Sequence, residues 1–166
     1  MYSKEQLIEK LNLEKHPEGG YFKETYRSEI TIPGSSLPLE FESARSVSTC
    51  IYFMLTSDEF SAFHKVNQDE AWHFYTGDTI SLHMISPEGY YSNIKIGSDF
   101  SSDETPQFIV PAQHWFAAEI ENNEGFALVG CTVAPGFDFN DFELAERKQL
   151  QKKFPNHSKI ISKFTR

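Results

Sequence analysis

The stretch HKVNQDEAWHFYTGD, His64 to Asp78, decides how this chain is read. With a period of two it is a pair of strands joined by a polar turn at Asn67-Gln68-Asp69. Phe60, Ala62, His64 and Val66 share one face before the turn, and Glu70, Trp72 and Phe74 share one face after it. If the two faces coincide, an imidazole and a carboxylate sit on the inside of a sheet among rings. Burying such a pair is costly unless the two engage each other or a ligand, so His64 and Glu70 are the first candidate site residues.

Outward from this stretch, the composition fixes the class. A chain of 166 residues suffices for one domain with a full core. Fifteen Phe and seven Tyr favour sheets over a helical bundle. A formal net charge of −9 argues against nucleic-acid or anionic-membrane partners, because neutralising phosphate needs Lys and Arg. No apolar run is long enough to span a membrane, and MYSKEQLIEKL is too charged for a signal peptide. Cys50 and Cys131 lie in apolar runs and read as reduced, buried thiols, so the expected location is cytoplasmic.

In chain order, Ser3 to Asn12 reads as a helix with a Ser3/Gln6 capping box and a stripe of Leu7, Ile8 and Leu11. His16-Pro17-Glu18-Gly19-Gly20 reads as a loop, and His16, like His157, as a solvated loop residue. Tyr21 to Ser28 is a strand. Residues 29–44, rich in Pro and Ser, form a surface excursion or lid. Arg45 to Thr56 is a central strand, apolar on both faces. Further strands are expected over Thr79–Ile85, Tyr90–Ile96, Gln107–Val110, Trp115–Ile120 and Phe126–Val133, with a hairpin turn at Asn122–Gly125. Asn140 as N-cap and Glu143 three residues on place a helix over about 141–153, with Asp138 and Asp141 as turn and helix-start acids. Phe154-Pro155 stops it, and the basic tail to Arg166 is peripheral. Eight or more short strands between two helices describe an all-β, antiparallel double-sheet jelly roll of one domain, 1–166, with its barrel at about 20–133.

The motifs then resemble a family. In cupins a first motif places Gly, His-x-His, Glu and Gly at fixed spacings. His64, Glu70 and Gly77 fall in that register, with Val66 at the second histidine and Asp58 at the opening glycine. The second motif, Pro-x-Gly-x-x-His, is similar to Pro111-Ala112-Gln113-His114-Trp115-Phe116, with Phe116 at the histidine. Three further segments, Pro17–Phe22, Asp69–Phe74 and Cys131–Phe139 with Asp141–Leu144, resemble one small uncharacterised group, the fifth cupin family, related in fold to the dTDP-sugar epimerases. The resemblance spans Leu7 to Pro155. It implies a cupin barrel (double-stranded β-helix), usually a homodimer, with a small-molecule pocket inside, and no particular reaction.

On these grounds His64 is the candidate general acid/base and Glu70 the residue that fixes its tautomer or touches substrate. Glu24, Tyr26, Arg45, Tyr52, Trp72, Gln113 and Trp115 are candidate pocket residues. No cofactor is expected. A divalent metal, if held, would use His64 and Glu70, two ligands where catalytic sites take three; His114 and His73 are the remaining candidates, and His73 has the wrong parity. The expected ligand is a small polar metabolite, a sugar, a sugar nucleotide or a hydroxylated acid. Three functions are carried forward: an isomerase or epimerase working through His64, a non-catalytic binding or sensor module, and a weakly metal-dependent enzyme.

Overall fold

A computed structural model describes residues 2–122 and 125–166. Thirteen strands run in chain order among them: β1 (Glu14–Lys15), β2 (Tyr21–Arg27), β3 (Thr31–Ile32), β4 (Arg45–Ser46), β5 (Thr49–Thr56), β6 (Ser61–Lys65), β7 (Asp69–Gly77), β8 (Ile80–Ile85), β9 (Tyr91–Ile96), β10 (Gln107–Val110), β11 (Trp115–Ile120), β12 (Phe126–Ala134) and β13 (Glu143–Leu144). The large sheet has the order β1-β2-β5-β12-β7-β10 and the smaller one β13-β6-β11-β8-β9; β3 and β4 pair on their own. All ladders of both sheets are antiparallel. The chain repeatedly crosses from one sheet to the other, as a jelly roll requires.

Two of those crossings correct the sequence reading. β6 and β7 are not neighbours in one sheet. They lie in opposite sheets, so His64 and Glu70 face each other across the space between the layers. Likewise β11 and β12, expected to form a hairpin, belong to different sheets; Asn123 and Glu124, part of the expected turn, lie outside the described residues.

Alternation explains the three apolar clusters. Inward-facing Phe53, Leu55, Trp72, Leu82, Phe116 and Val129 fill the space between the sheets. Met54 and Leu128 have the opposite parity, and with Leu13 they pack outside the large sheet under helix α1 (Lys4–Lys10) through Leu7, Ile8 and Leu11. That second coat is why Thr49–Thr56 is apolar on both faces. Helix α1 carries the expected capping box, Ser3 with Gln6. The outer face of the smaller sheet is covered by α2 (Arg147–Lys153) and α3 (Ser158–Lys163), with Phe63, Ile85, Leu150, Ile161 and Phe164 between.

The C-terminal segment departs from expectation. Residues Phe139–Asp141 form a single 3-10 turn, β13 follows, and the helix begins at Arg147 with Glu146 as its cap, Oε2 accepting from the Gln149 N–H at 2.9 Å. The tail is not peripheral, since Ile161 and Phe164 are wholly buried. Residues 29–44 are mostly exposed, with Phe41 buried beneath Arg45.

Candidate functional site

The site begins with the tight β1–β2 hairpin. His16 N–H donates to the Gly20 carbonyl at 3.0 Å and Gly19 N–H to the His16 carbonyl at 3.0 Å. Both glycines have positive φ, +114° and +74°, and a Cβ on Gly19 would collide with the Phe60 carbonyl oxygen. This turn lies flat on β6, where the Ala62 N–H donates to the Glu18 carbonyl at 2.8 Å. The Glu18 side chain is thereby turned inward and buried, rather than outward as a hairpin-tip acid ordinarily is.

Inside, Glu18 organises the polar end of the interior. Its Oε1 accepts from Ser61 Oγ at 2.9 Å. Its Oε2 stands 3.2 Å from His64 Nε2 and 3.2 Å from His16 Nδ1. His64 Nδ1 lies 2.8 Å from the Ala62 carbonyl; a carbonyl only accepts, so Nδ1 carries a proton and Nε2 faces Glu18. Burial pushes the His64 pKa down against the pull of Glu18. Neutral His64 therefore offers an Nε2 lone pair beside a carboxylate positioned to stabilise the imidazolium once a proton arrives. Glu18 is desolvated, yet His64, His16 and Ser61 together hold its pKa below the ordinary value. His16 is also desolvated, but Glu18 outweighs this and raises its pKa. The His64 ring packs on Phe116 at 4.0 Å between centroids and on Phe142 at 5.3 Å.

Across the cavity, β7 presents Glu70 and Trp72. Burial, and then the charge of Glu18, raise the Glu70 pKa from 4.5 to about 7; Cys131, His16 and Trp72 temper the rise. Burial likewise pushes the Cys131 thiol well up, so it is not a thiolate nucleophile. Trp72 Nε1 is buried without a hydrogen-bond partner. These groups line a cavity of about 260 Å³ whose walls are largely apolar, with rings from Phe22 and Phe53 on the large sheet to Phe137, Phe139 and Phe142 on the segment after β12. At its mouth Arg27 Nη2 donates to Glu24 Oε2 at 2.7 Å and Arg27 Nη1 to the Phe137 carbonyl at 3.1 Å, with Asp138 alongside.

Of the residues singled out in the sequence, His64, Glu70, Glu24 and Trp72 line this cavity. The carboxylate beside His64 is Glu18, however, and not Glu70. Tyr26 is an exposed surface residue. Arg45 is buried away from the cavity, paired with Asp141. Tyr52 faces the outer side of the large sheet, near Tyr75 and α1. Gln113 donates to Asn67 at 2.8 Å, and Trp115 packs in the cluster under α2 and α3. His16, read as solvated, is buried in the cavity wall; His157 is half-buried and bonds the Gly89 carbonyl. The sequence reading missed His16 and Glu18 as site residues. Their signal was the Gly19-Gly20 pair, which permits the inward turn but does not announce it.

A family profile described as "Cupin superfamily (DUF985)" matches residues 5–145. The chain belongs to the cupin superfamily. It is 37% identical over 149 residues to the uncharacterised protein YML079W of Saccharomyces cerevisiae, covering 84% of this chain and 73% of that one. Among solved structures, this cupin superposes on protein SO0799 of Shewanella oneidensis with a TM-score of 0.90 at 38% identity, covering 100% and 99% of the two chains. A hypothetical protein from Leishmania major gives a TM-score of 0.89 at 30% identity, over 99% of each chain. Oxalate decarboxylase of Bacillus subtilis shares the fold alone, at a TM-score of 0.54 and 14% identity, with this chain spanning 36% of that one.

Many cupin barrels are built to hold a metal, and the donor set here does not fit one. Of the positions where the family pattern puts ligands, His64 and Glu70 carry donors, and they stand on opposite sheets. Phe116 occupies the place where the family pattern puts a histidine, and its ring lies on His64. Among the described residues no three His, Cys, Asp or Glu side chains are arranged to hold an ion.

Proposed function

We propose that this cupin binds a small metabolite in its barrel and moves a proton on it, in the manner of an isomerase or epimerase. The observation that carries the reading is the pair of oppositely poised groups on facing walls. His64 is held neutral by burial with a carboxylate ready to stabilise its conjugate acid, and Glu70 is an acid whose pKa sits at about 7. His64 Nε2 takes a proton from a C–H next to a carbonyl, the electron pair moving onto the carbonyl oxygen as an enediolate, and Glu70 returns a proton to carbon or oxygen from the other side. Aromatic walls keep bulk water from the intermediate.

Size and charge narrow the ligand. A cavity of about 260 Å³ is at the small end for a ligand site, and the phosphates of a sugar nucleotide would meet Glu24 and Asp138 at its mouth. The test is proton NMR in D₂O with small aldoses and α-hydroxy ketones. Exchange of the C–H next to the carbonyl is expected, and His64→Gln should slow it by about 10²–10⁴. Glu18→Gln should slow it too, because the imidazolium loses its carboxylate. Exchange unaffected by both changes removes this reading, whereas binding with no exchange leaves a non-catalytic binding protein.

A further inference from the structure

We infer that the cavity is built for a small organic cation, a ligand carrying an ammonium group. The inference rests on the reading of the cavity as a ligand site, and not on its catalysing a reaction: against a bound cation the Glu70 carboxyl is ionised and is not a proton donor. Three features of the lining point the same way. First, the fixed charges are unbalanced. Arg27 is the one fixed cation among the lining residues, and it is already engaged by Glu24 and by the Phe137 carbonyl. Against it stand Glu18, Glu24 and Asp138, with Glu70 adding a further negative charge once it ionises and His16 offsetting Glu18 when protonated. Second, six Phe and Trp rings stand in the remaining wall among aliphatic side chains, and the face of an aromatic ring attracts a cation. Phe139 and Phe142 come from the covering segment, and Phe22, Phe53 and Trp72 from the large sheet. Third, Glu70 is nine-tenths buried and takes part in none of the salt bridges among the described residues. A carboxyl in that position holds its proton up to about neutral pH, and a positive charge brought against it favours the ionised form.

The groups facing Glu70 give this a signature. Glu18 and His16 come from the β1–β2 hairpin, His64 from β6, Cys131 from β12, and Glu24 with Arg27 stands at the mouth beside Asp138. Glu18 raises the Glu70 pKa and His16 lowers it, with the net value at about 7. A cation bound against Glu70 stabilises only the ionised form, so binding below neutral pH must expel a proton. Affinity then rises with pH up to about 7 and levels off above it.

The experiment is calorimetric titration of the full chain with three probes of matched shape: choline, its uncharged carbon isostere 3,3-dimethylbutan-1-ol, and the anion 3,3-dimethylbutanoate. A quaternary probe has no proton of its own, so any proton released comes from the protein. Choline is expected to bind about tenfold more tightly than the alcohol, with the anion weakest. Its affinity should climb by up to about tenfold per pH unit between pH 5 and 7, with buffer-dependent heats reporting proton release. Glu70→Gln should flatten that climb. Phe139→Leu, a change at a half-exposed ring of the wall, should weaken choline more than the alcohol and so narrow the preference between them. Equal affinity for choline and the alcohol overturns the charge assignment yet leaves the cavity a ligand site. Tighter binding of the anion, or no binding of any probe, overturns the inference as a whole.

Discussion

Glu70 is the residue at which stability and chemistry pull apart. Its carboxyl is buried and its pKa is raised from 4.5 to about 7. In the unfolded chain it ionises near the lower value, so between about pH 4.5 and 7 the native state holds the extra proton and stability falls as pH rises. Below that window both states are protonated and the cost vanishes; above it the cost is constant at about 3 kcal/mol. Glu70→Gln should therefore raise the melting temperature at pH 8 while leaving it nearly unchanged at pH 4.5, and a pair of calorimetric scans decides it. A variant no more stable than the parent at pH 8 would show that the carboxyl is better accommodated than its burial implies. An acid kept at such a cost fits a site retained for use. Residue by residue, the sequence exposed His64 and Glu70 because both break the apolar alternation of strands on whose inner face they sit. Glu18 sits in a turn, where polar residues are ordinary, and nothing in its spacing distinguishes an inward carboxylate from an outward one. His16 was misplaced for the same reason.

Elements with a long apolar run or a cap signal were legible and short ones without either were not. The apolar runs of Thr49–Thr56, Ile80–Ile85 and Phe126–Ala134, bounded by turn residues, are long enough to declare strands, and the Ser3/Gln6 box marks α1. By contrast, α3 spans six residues and offers only Ile160 and Ile161 between lysines and serines, too few for a helical period. Its burial comes from docking, with Phe164 just beyond its end set against Phe60 at 5.6 Å, Phe63 at 6.2 Å and His83 at 4.7 Å between ring centroids. Asn140 and Glu143 imitate a helix start, but the Asp141 carboxylate is taken by Arg45, and the helix begins six residues later. If the tail is a structural layer, Phe164→Ala should cost about 3–5 kcal/mol in urea unfolding. A loss under 1 kcal/mol would return the tail to the periphery.

For the whole molecule, the decisive connection is one that joins the two sheets beside the cavity. Arg45 lies in β4, just ahead of β5 of the large sheet, whereas Asp141 leads into β13 at the edge of the smaller one. Their side chains meet in a fork, Arg45 Nε to Asp141 Oδ2 and Nη2 to Oδ1, both at 2.6 Å, with only 2% and 1% of the two side chains exposed. Gln68, in the β6–β7 crossing, adds a third donor to Asp141 at 2.7 Å, and Ser43 accepts from the remaining arm of Arg45 at 2.6 Å. The same short segment carries Phe139 and Phe142 over the cavity, so the pair holds down the wall that separates any ligand from water. Removing one partner strands a buried charge. Arg45→Met should cost about 3–5 kcal/mol, and Arg45→Met/Asp141→Leu should recover a large part of it, because an apolar pair of similar volume needs no solvation. Denaturant titrations of both singles and the double close a thermodynamic cycle. The double variant should nevertheless bind ligand more weakly than the parent, since Gln68 and the covering segment lose the anchor that fixes them. Strict additivity of the two singles would mean that Arg45 and Asp141 are held independently, and the cavity wall would then owe its position to the aromatic packing of Phe137, Phe139 and Phe142.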